Sequence, residues 1–199
     1  MQTKLEKLIS QYRELGIDKQ IDYDKFYLYS LITHSTAIEG STITELENQI
    51  MFDQGISLKG KSMAELNMNL DLKNAYENAV KLANTHADIS IDLLKDFSAL
   101  VMKNTGQEYK TALGAFSSAR GELRLLNVTT GIGGKSYMNY SKVPAKLSEF
   151  CVWLNKEREN YTHKSTVQLY EISFDAHYHL ATIHPWADGN GRMARLLMN

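Results

Sequence analysis

Residues 183–195, IHPWADGNGRMAR, bring a histidine, a carboxylate, a glycine-rich turn and two arginines into one short segment. His184 has a side chain that titrates near neutrality, which suits a general base. Pro185 lacks an N–H and disfavours helical geometry in the residue before it, so a preceding helix should end near Ile183. The segment therefore predicts a loop that presents a base at the end of a helix.

Gly189, Asn190 and Gly191, called the nest below, form the centre of this loop. Glycine permits backbone angles that are closed to other residues, and asparagine tolerates the left-handed region. Successive N–H groups in such a turn can point at one anion. The following residues, RMARLLMN, favour a helix, and the free N–H groups at a helix N-terminus attract phosphate. The nest is therefore predicted to bind a phosphate group.

Charged residues flank the nest on both sides. Arg192 and Arg195 are three positions apart and should share a helix face. An arginine in a first helical turn faces the positive end of the helix dipole, at a cost of roughly 0.3–1 kcal/mol that a bound anion would reverse. The alternative is two solvated surface charges.

Asp188 comes directly before the nest. A carboxylate beside a polyphosphate is stable if it holds Mg²⁺ together with phosphate oxygens. The alternative is a residue that only shapes the turn. A Mg²⁺-polyphosphate site with a nearby base indicates transfer of a phosphorus-containing group.

The rest of the chain is predicted to form helices that position this loop. Pro144 and Pro185 are the two prolines, and Leu, Ala, Glu and Lys are frequent, which favours helix. Thr44 and Ser62 are each followed three residues later by Glu, the pattern of a capping box. The predicted helices cover residues 3–15, 23–38, 44–55 and 62–84, a stretch after residue 90, a stretch from residue 143, residues 165–183 and residues 192–199.

Residues 119–140 differ in composition from the predicted helices. Apolar and β-branched residues lie on either side of TGIGG in the string GELRLLNVTTGIGGKSYMNY, which is typical of a β-hairpin. The predicted fold class is therefore all-α, mainly a helical bundle, with one β-hairpin in this segment.

The overall composition limits the class of protein. Hydrophobic residues make up 43%, charged residues 23% and the formal net charge is -1, so neither nucleic acid nor an anionic membrane is indicated as the main partner. No run of about 18 apolar residues predicts a membrane span, and the N-terminus lacks the pattern of a secretory signal. Cys151 is the single cysteine; it is assigned to helix packing and indicates a reducing compartment. A cytoplasmic location is therefore predicted.

The string HPWADGNGR followed by MAR resembles the signature of the Fic family, the adenylyltransferases that attach AMP to protein hydroxyl groups. The family pattern is His, any residue, Phe, any residue, Asp or Glu, Gly-Asn-Gly-Arg, two residues and Arg. The sequence matches it except for Trp186 in place of Phe. GELR resembles the start of the family's flap, with Leu123 where an aromatic residue is common. The resemblance covers most of the chain and implies a Fic-like fold, with the hairpin as a flap over the target segment.

This resemblance implies a role for each residue of the loop. His184 would deprotonate the target hydroxyl, and Asp188 would hold Mg²⁺. The nest would bind the α-phosphate region of ATP, and Arg192 and Arg195 would grip the outer phosphates. The hydroxyl would attack the α-phosphorus and pyrophosphate would leave. Relatives of the Doc type break the Gly-Asn-Gly-Arg string, so its presence favours AMP transfer.

A second segment, STAIEG at residues 35–40, resembles the family's inhibitory motif, which corresponds here to Ser35, Glu39 and Gly40. Glu39 lies at the C-terminal end of its predicted helix, where a carboxylate is disfavoured and needs a cation. A bidentate pair with Arg195 would satisfy both charges and would prevent productive binding of the γ-phosphate. Without the resemblance, Glu39 would be interpreted as a solvated residue at a helix end.

Two regions are predicted from these patterns. Residues 1–60 form an N-terminal helical region that includes the inhibitory helix at about 22–40, and residues 61–199 form a Fic catalytic core. The last helix has no stop signal before Asn199, which leaves open a further C-terminal segment.

The predicted function is Mg²⁺-ATP-dependent transfer of AMP to a hydroxyl side chain of a target protein, or of the chain itself, with autoinhibition by Glu39. ATP and Mg²⁺ are the predicted cofactors. Two alternatives remain open: removal of AMP from a modified protein, with Glu39 orienting a water, and a non-enzymatic ATP-responsive interaction module that Glu39 keeps inactive. A homodimer is also left open.

Overall fold

A computed structural model describes residues 3–20, 22–131 and 133–199. Helices occupy most of these ranges, and short 3₁₀ turns and loops join them. The α-helices are α1 (Lys4–Glu14), α2 (Tyr23–Phe26), α3 (Ile32–Ile38), α4 (Glu45–Gln54), α5 (Met63–Ala83), α6 (Ile91–Val101), α7 (Val143–Arg158), α8 (Thr166–Ile183) and α9 (Asn190–Met198). A π-helical segment, Tyr27–Leu31, joins α2 to α3. The predicted class, all-α with one β-hairpin, is confirmed.

Several helices begin where the sequence predicts because side chains satisfy their first N–H groups, whereas α9 begins at Asn190, two residues earlier than predicted. Thr44 accepts a hydrogen bond from the N–H of Glu47 at 3.3 Å, and the carboxylate of Glu47 accepts one from the N–H of Thr44 at 2.8 Å. The same reciprocal capping box starts α5 at Ser62 and α8 at Ser165. Pro144 lies in the first turn of α7, where its missing N–H costs no hydrogen bond.

The β-hairpin lies earlier in the chain than predicted. Strands β1 (Glu108–Thr111) and β2 (Gly114–Ser117) pair antiparallel. Tyr109 stacks on Phe116 across the pair, with ring centroids 4.9 Å apart. The prediction of strands in residues 119–140 was therefore wrong, and Ile132, in the predicted turn, lies outside the described residues.

In the described part of residues 119–140, the two arms of the loop meet at one bridge and around one buried side chain. An isolated bridge joins Thr129 to Ser136. Nearer the base of the loop, the carbonyls of Leu126 and Met138 accept hydrogen bonds from the guanidinium of Arg124. The arginine therefore links the two arms through their carbonyls, and between it and the bridge the N–H of Tyr137 donates to the carbonyl of Val128 at 3.0 Å.

The hydrophobic core forms where α5 to α9 meet. Fully buried side chains from four helices contribute to it: Leu72, Leu147, Leu180 and Met193. Burial of a side chain of this size is worth about 1.5–3 kcal/mol, so the core is the main support of the loop between α8 and α9. Cys151 is also buried in this core, as its assignment to packing predicts. No helix in the described part of the chain has the length and apolarity that a bilayer-spanning segment needs.

A buried polar network holds α3 against α4 and α5. The side-chain oxygen of Asn69, on α5, accepts hydrogen bonds from Thr36 on α3 and Asn48 on α4, both at 2.9 Å. Its amide nitrogen donates to Ser41 at 3.1 Å and to the carbonyl of Glu65 at 2.9 Å. Because buried polar groups are costly unless they are paired, this network fixes the C-terminal end of α3.

We expect Asn69→Ala to lower the free energy of unfolding by about 2–3 kcal/mol, because it leaves an N–H of Asn48 without an acceptor and removes the donor to Ser41. Asn78→Ala is the matched control, since Asn78 is exposed on the same helix and donates to the carbonyl of Asn74. That control should change stability by less than about 0.5 kcal/mol. Chemical denaturation followed by circular dichroism measures both, and equal losses would show that the network adds nothing.

Candidate functional site

His184 ends α8 in a backbone conformation that few residues adopt. Its φ of 52° and ψ of 63° lie in the left-handed region, and its N–H donates to the carbonyl of Leu180 at 3.0 Å. Positive φ is uncommon outside glycine and requires surroundings that hold the residue in place. Arg124 supplies this hold: its Nε donates to the carbonyl of His184 at 2.8 Å, and its backbone N–H donates to the carbonyl of Pro185 at 3.0 Å.

The imidazole of His184 is half-buried under an aromatic ring. It stacks on Tyr137, with ring centroids 3.7 Å apart and planes inclined by 20°. Its Nδ1 faces the carbonyl of Ala181 at 3.4 Å, so Nε2 is the basic nitrogen. Burial lowers the pKa of His184; the carbonyl of Ala181 and the charge of Asp188 raise it, and Arg124 lowers it. The net lowering favours the neutral form that a general base requires.

Trp186 and Asn190 brace the loop from inside. The Oδ1 of Asn190 accepts from the N–H of Trp186 at 3.1 Å, and its Nδ2 donates to the carbonyl of Trp186 at 2.9 Å. Trp186 is fully buried, and its indole N–H donates to the carbonyl of Gly121 at 3.0 Å. The tryptophan in the Phe position of the signature therefore anchors the loop with a hydrogen bond. Because the side chain of Asn190 is hydrogen-bonded within the loop, only its backbone N–H is available to bind an anion in the nest.

Helix α9 begins without the side-chain cap that starts α8. Its N-cap is Gly189, which has a φ of 80° and makes no side-chain hydrogen bond, whereas Ser165 caps α8. A Cβ at Gly189 would lie 2.6 Å from the sulfur of Met102, so both the backbone angle and the packing require glycine. The first N–H groups of α9 therefore leave the positive end of the helix dipole available to an anion.

Asp188 shapes the turn and still fits the predicted metal role. Its Oδ1 accepts from the N–H of Gly189 at 2.6 Å and lies 3.7 Å from the Nη2 of Arg192. The side chain is 55% exposed, which leaves room for a ligand. Magnesium is commonly held by one carboxylate together with phosphate oxygens and water, so this environment fits the ion. No group of three or more His, Cys, Asp and Glu side chains that could hold a metal occurs in residues 3–20, 22–131 and 133–199.

Arg192 is directed into the protein and has weak partners. It is 2% exposed, its Nη2 lies 3.0 Å from the sulfur of Met102, and its Nη1 lies 3.4 Å from the carbonyl of Val101 at the end of α6. Its Nε has no hydrogen-bond partner in the described part of the chain. Burial lowers the pKa of Arg192. A buried cation with an unpaired donor is costly, and an anion beside it would reduce that cost.

Arg195 is directed toward α3 and forms an ion pair with Glu39 as predicted, but through one contact instead of the bidentate pair expected. Its Nη2 lies 2.5 Å from the Oε1 of Glu39. Ser35 adds two contacts, since its Oγ accepts from Nε at 2.8 Å and its carbonyl accepts from Nη2 at 3.0 Å. Gly40 follows Glu39 directly, where α3 ends. Arg192 and Arg195 are three positions apart on α9, but their guanidinium groups contact different helices.

The ion pair lies against the nest itself. A Cβ at Gly191 would be 2.7 Å from the Oε1 of Glu39 and 3.0 Å from the Nη1 of Arg195. The carboxylate of Glu39 therefore lies where the N-terminus of α9 attracts negative charge. An anionic ligand at this helix end would compete with Glu39 for Arg195.

The structure brings most of the predicted site residues together around the start of α9. His184, Asp188, the nest, Arg195 and the motif of Ser35 to Gly40 meet there, and Arg192 lies behind them. Their catalytic and binding roles stay predictions. Three residues near the site were not identified from the sequence: Arg124, Tyr137 and Met102. Only Arg124 had a signal, as the arginine that closes the GELR string.

Comparisons with known proteins agree with this arrangement. A model of the Fic/DOC family matches residues 88–199. Protein adenylyltransferase fic-1 of Caenorhabditis elegans is 30% identical over 178 residues, which is 88% of this chain and 31% of that protein. Protein adenylyltransferase Fic of Drosophila melanogaster is 33% identical over 171 residues, 84% of this chain and 31% of that protein. The chain thus spans about a third of the length of these relatives.

Solved structures share the fold. Fic-1 from Caenorhabditis elegans superposes with a TM-score of 0.69 at 28% identity, covering 91% of this chain and 48% of that one. A Fic domain containing signaling protein from Bacteroides thetaiotaomicron superposes with a TM-score of 0.77 at 23% identity, covering 99% of this chain and 71% of that one, and it supports the fold alone. Because the family model matches more than half of the sequence, this chain belongs to the Fic/DOC family.

Proposed function

We propose that this chain is a protein adenylyltransferase that uses Mg²⁺-ATP and transfers AMP to a hydroxyl side chain of a target protein or of itself. The observation that carries the proposal is one loop that combines the basic Nε2 of His184 with the uncapped N-terminus of α9. The names of the relatives, protein adenylyltransferases at 30–33% identity, support the same activity.

The phosphates of ATP bind at the start of α9 in this proposal. The first N–H groups of α9 donate to the α-phosphate region, where the helix dipole favours negative charge. Arg192 offers its unpaired Nε from below, and Arg195 grips the γ-phosphate once Glu39 releases it. Charge-assisted hydrogen bonds of this kind position the α-phosphorus beside His184.

His184 acts as the base in the transfer step. Its Nε2 takes the proton of the target hydroxyl as the hydroxyl oxygen attacks the α-phosphorus. The bond from the α-phosphorus to the bridging oxygen breaks, and pyrophosphate leaves with that oxygen. The N–H groups of the nest stabilise the negative charge that develops on the α-phosphate oxygens.

Asp188 would hold Mg²⁺ together with phosphate oxygens. When bound, the ion neutralises phosphate charge during the transfer. Asp188 also accepts from the N–H of Gly189 at 2.6 Å, so it keeps the nest in shape in addition to holding the ion.

Glu39 regulates the site by occupying the arginine that the γ-phosphate needs. Its carboxylate is 2.5 Å from Arg195 and lies against the backbone of Gly191. ATP would then bind in a pose that does not lead to transfer. The pair is partly exposed, at 17% for Arg195 and 30% for Glu39, so water screens it and a polyphosphate can displace it.

A second candidate function, removal of AMP from a modified protein, is favoured by the same carboxylate. Glu39 at the mouth of the nest could orient a water toward a bound AMP group. Incubation with labelled ATP and cell lysate distinguishes the candidates when wild type and Glu39→Gly are compared. Incorporated label supports transfer. Loss of label from a protein that already carries labelled AMP, without incorporation of new label, supports removal. If neither activity is detected, the result supports an interaction module.

We expect His184→Ala to lower AMP transfer by about 10²–10⁴-fold while ATP binding, measured by calorimetry, stays close to wild type. His163→Ala is the control, because His163 is exposed and outside the loop. Because burial lowers the pKa of His184, the wild-type rate should fall on acidification with a midpoint below about 6.5, the value of a free histidine. Unchanged transfer in His184→Ala would remove this residue as the base.

We expect Asp188→Ala to weaken the dependence of nucleotide binding on added Mg²⁺, because the carboxylate ligand is lost. Asp188→Asn separates this role from the turn, since an amide oxygen can still accept from the N–H of Gly189. Titration of Mg²⁺ at constant ATP measures both. Wild-type Mg²⁺ dependence in Asp188→Asn would assign Asp188 to the turn alone.

We expect Glu39→Gly to raise AMP transfer by about 10–100-fold, because one charge-assisted contact no longer has to break before Arg195 binds phosphate. The same change should lower stability by up to about 1 kcal/mol, because the exposed pair is lost. Glu159→Gly is the matched control: Glu159 is the C-cap of α7 as Glu39 is the C-cap of α3. A substitution that only damages the fold lowers both stability and AMP transfer, so a rise in transfer would be specific to autoinhibition. Transfer no higher than wild type in a folded Glu39→Gly variant would reject autoinhibition.

A further inference from the structure

Arg124 is a buried cation whose partners are main-chain carbonyls. It is 1% exposed. Its Nε donates to His184 at 2.8 Å, its Nη1 donates to Leu126 at 2.7 Å, and its Nη2 donates to Met138. Burial is the cause that lowers the pKa of Arg124, with no carboxylate partner in the described residues. The guanidinium therefore joins three peptide groups and neutralises no acid.

The cost of burying this charge indicates that its geometry matters. A buried cation is unfavourable unless its donors are paired, and an apolar side chain could occupy the same volume at lower cost. A guanidinium differs from other side chains because its N–H groups form a rigid fork. Here the fork reaches the carbonyls of Leu126 and Met138, the outer ends of residues 126–131 and 133–138, which are called the flap segment, and the carbonyl of His184.

The flap segment in turn carries the ring that covers the base. Tyr137 stacks on the imidazole of His184 at 3.7 Å, and its N–H donates to the carbonyl of Val128 at 3.0 Å. Because Leu126 and Met138 are the ends of this segment, the arginine between them sets how closely the two arms approach. The position of Tyr137 therefore depends on Arg124 through the backbone.

We propose that Arg124 is a positioning residue for the general base: it holds His184 in its left-handed backbone conformation and closes the flap segment so that Tyr137 stays stacked on the imidazole. The role of His184 as a base rests on the proposed function, whereas these contacts are properties of the fold. The charged and titratable groups that face the imidazole are Arg124, Tyr137 and Asp188.

The test follows the ring signals of His184 by NMR as a function of pH in Arg124→Met and Arg124→Lys. Tyr137 stacking shifts these signals upfield in wild type, and both variants should lose this shift because neither side chain has the guanidinium fork. The pKa of His184 should rise in Arg124→Met, since a nearby positive charge and part of the burial are removed. Arg120→Met is the matched control, because Arg120 is exposed and pairs with Glu108 at 2.6 Å; it should keep the wild-type signals.

The activity measurement separates positioning from general support. The kcat for AMP transfer should fall about 10–100-fold in both Arg124 variants, because a small misplacement of a base is costly. The KM for ATP should change by less than about twofold, because the phosphates bind at α9. A purely structural role would lower thermal stability while kcat per folded molecule stays at wild type.

Several results would overturn the proposal. One is a wild-type stacking shift in a folded Arg124 variant, and another is a lost shift with unchanged kcat. Should both arginine variants fail to fold, Tyr137→Leu keeps the arginine, and unchanged pKa of His184 and unchanged kcat in that variant would also overturn it. Absence of AMP transfer in every variant, including Glu39→Gly, would reject the proposed function, and the NMR shifts would then decide the positioning role by themselves.

Discussion

The uncapped N-terminus of α9 is the constraint on which the rest of the site depends. Gly189 has no side chain that could cap this helix end. A larger residue is disfavoured there because its Cβ would contact Met102 and because the left-handed φ favours glycine. A helix end in this state is a fixed partial positive charge, and Arg192 and Arg195 add two full charges beside it. Negative charge must be supplied from elsewhere in the fold or from a ligand. In the structure Glu39 supplies it at Arg195, and Asp188 supplies it 3.7 Å from the Nη2 of Arg192.

Two buried arginines near the site differ in whether their N–H donors have hydrogen-bond partners. Arg124 has its fork paired with three carbonyls, so it holds backbone segments together and has little reason to bind a ligand. Arg192 has an unpaired Nε and a thioether as a close neighbour, so an anion would improve its environment. The two arginines therefore differ in their hydrogen-bond partners more than in charge or burial, which is why we propose a positioning role for Arg124 and a binding role for Arg192.

The contact between Glu39 and Arg195 depends on packing more than on its own strength. A partly exposed ion pair is worth about 0–1 kcal/mol, which is too little to hold a helix in place. The helix that carries Glu39 is held by the buried network around Asn69, in which Thr36 and Asn48 contribute from α3 and α4. This division would let the helix stay docked while the carboxylate exchanges with another anion, as the proposed autoinhibition requires.

The sequence by itself determined most helix starts and the left-handed glycine before α9, because capping boxes and glycine turns are local signals. The pairing of Glu39 with Arg195 was predicted only through the family resemblance, since the two residues are far apart in the sequence. It did not determine which segment would form strands: residues 108–117 pair as β1 and β2, whereas the carbonyls of Leu126 and Met138 bind the side chain of Arg124. Nor did it show that Arg192 turns toward α6 or that Tyr137 covers the base. These outcomes were decided by the tertiary structure alone, since each depends on partners that are distant in sequence and that only packing brings within hydrogen-bond or van der Waals reach.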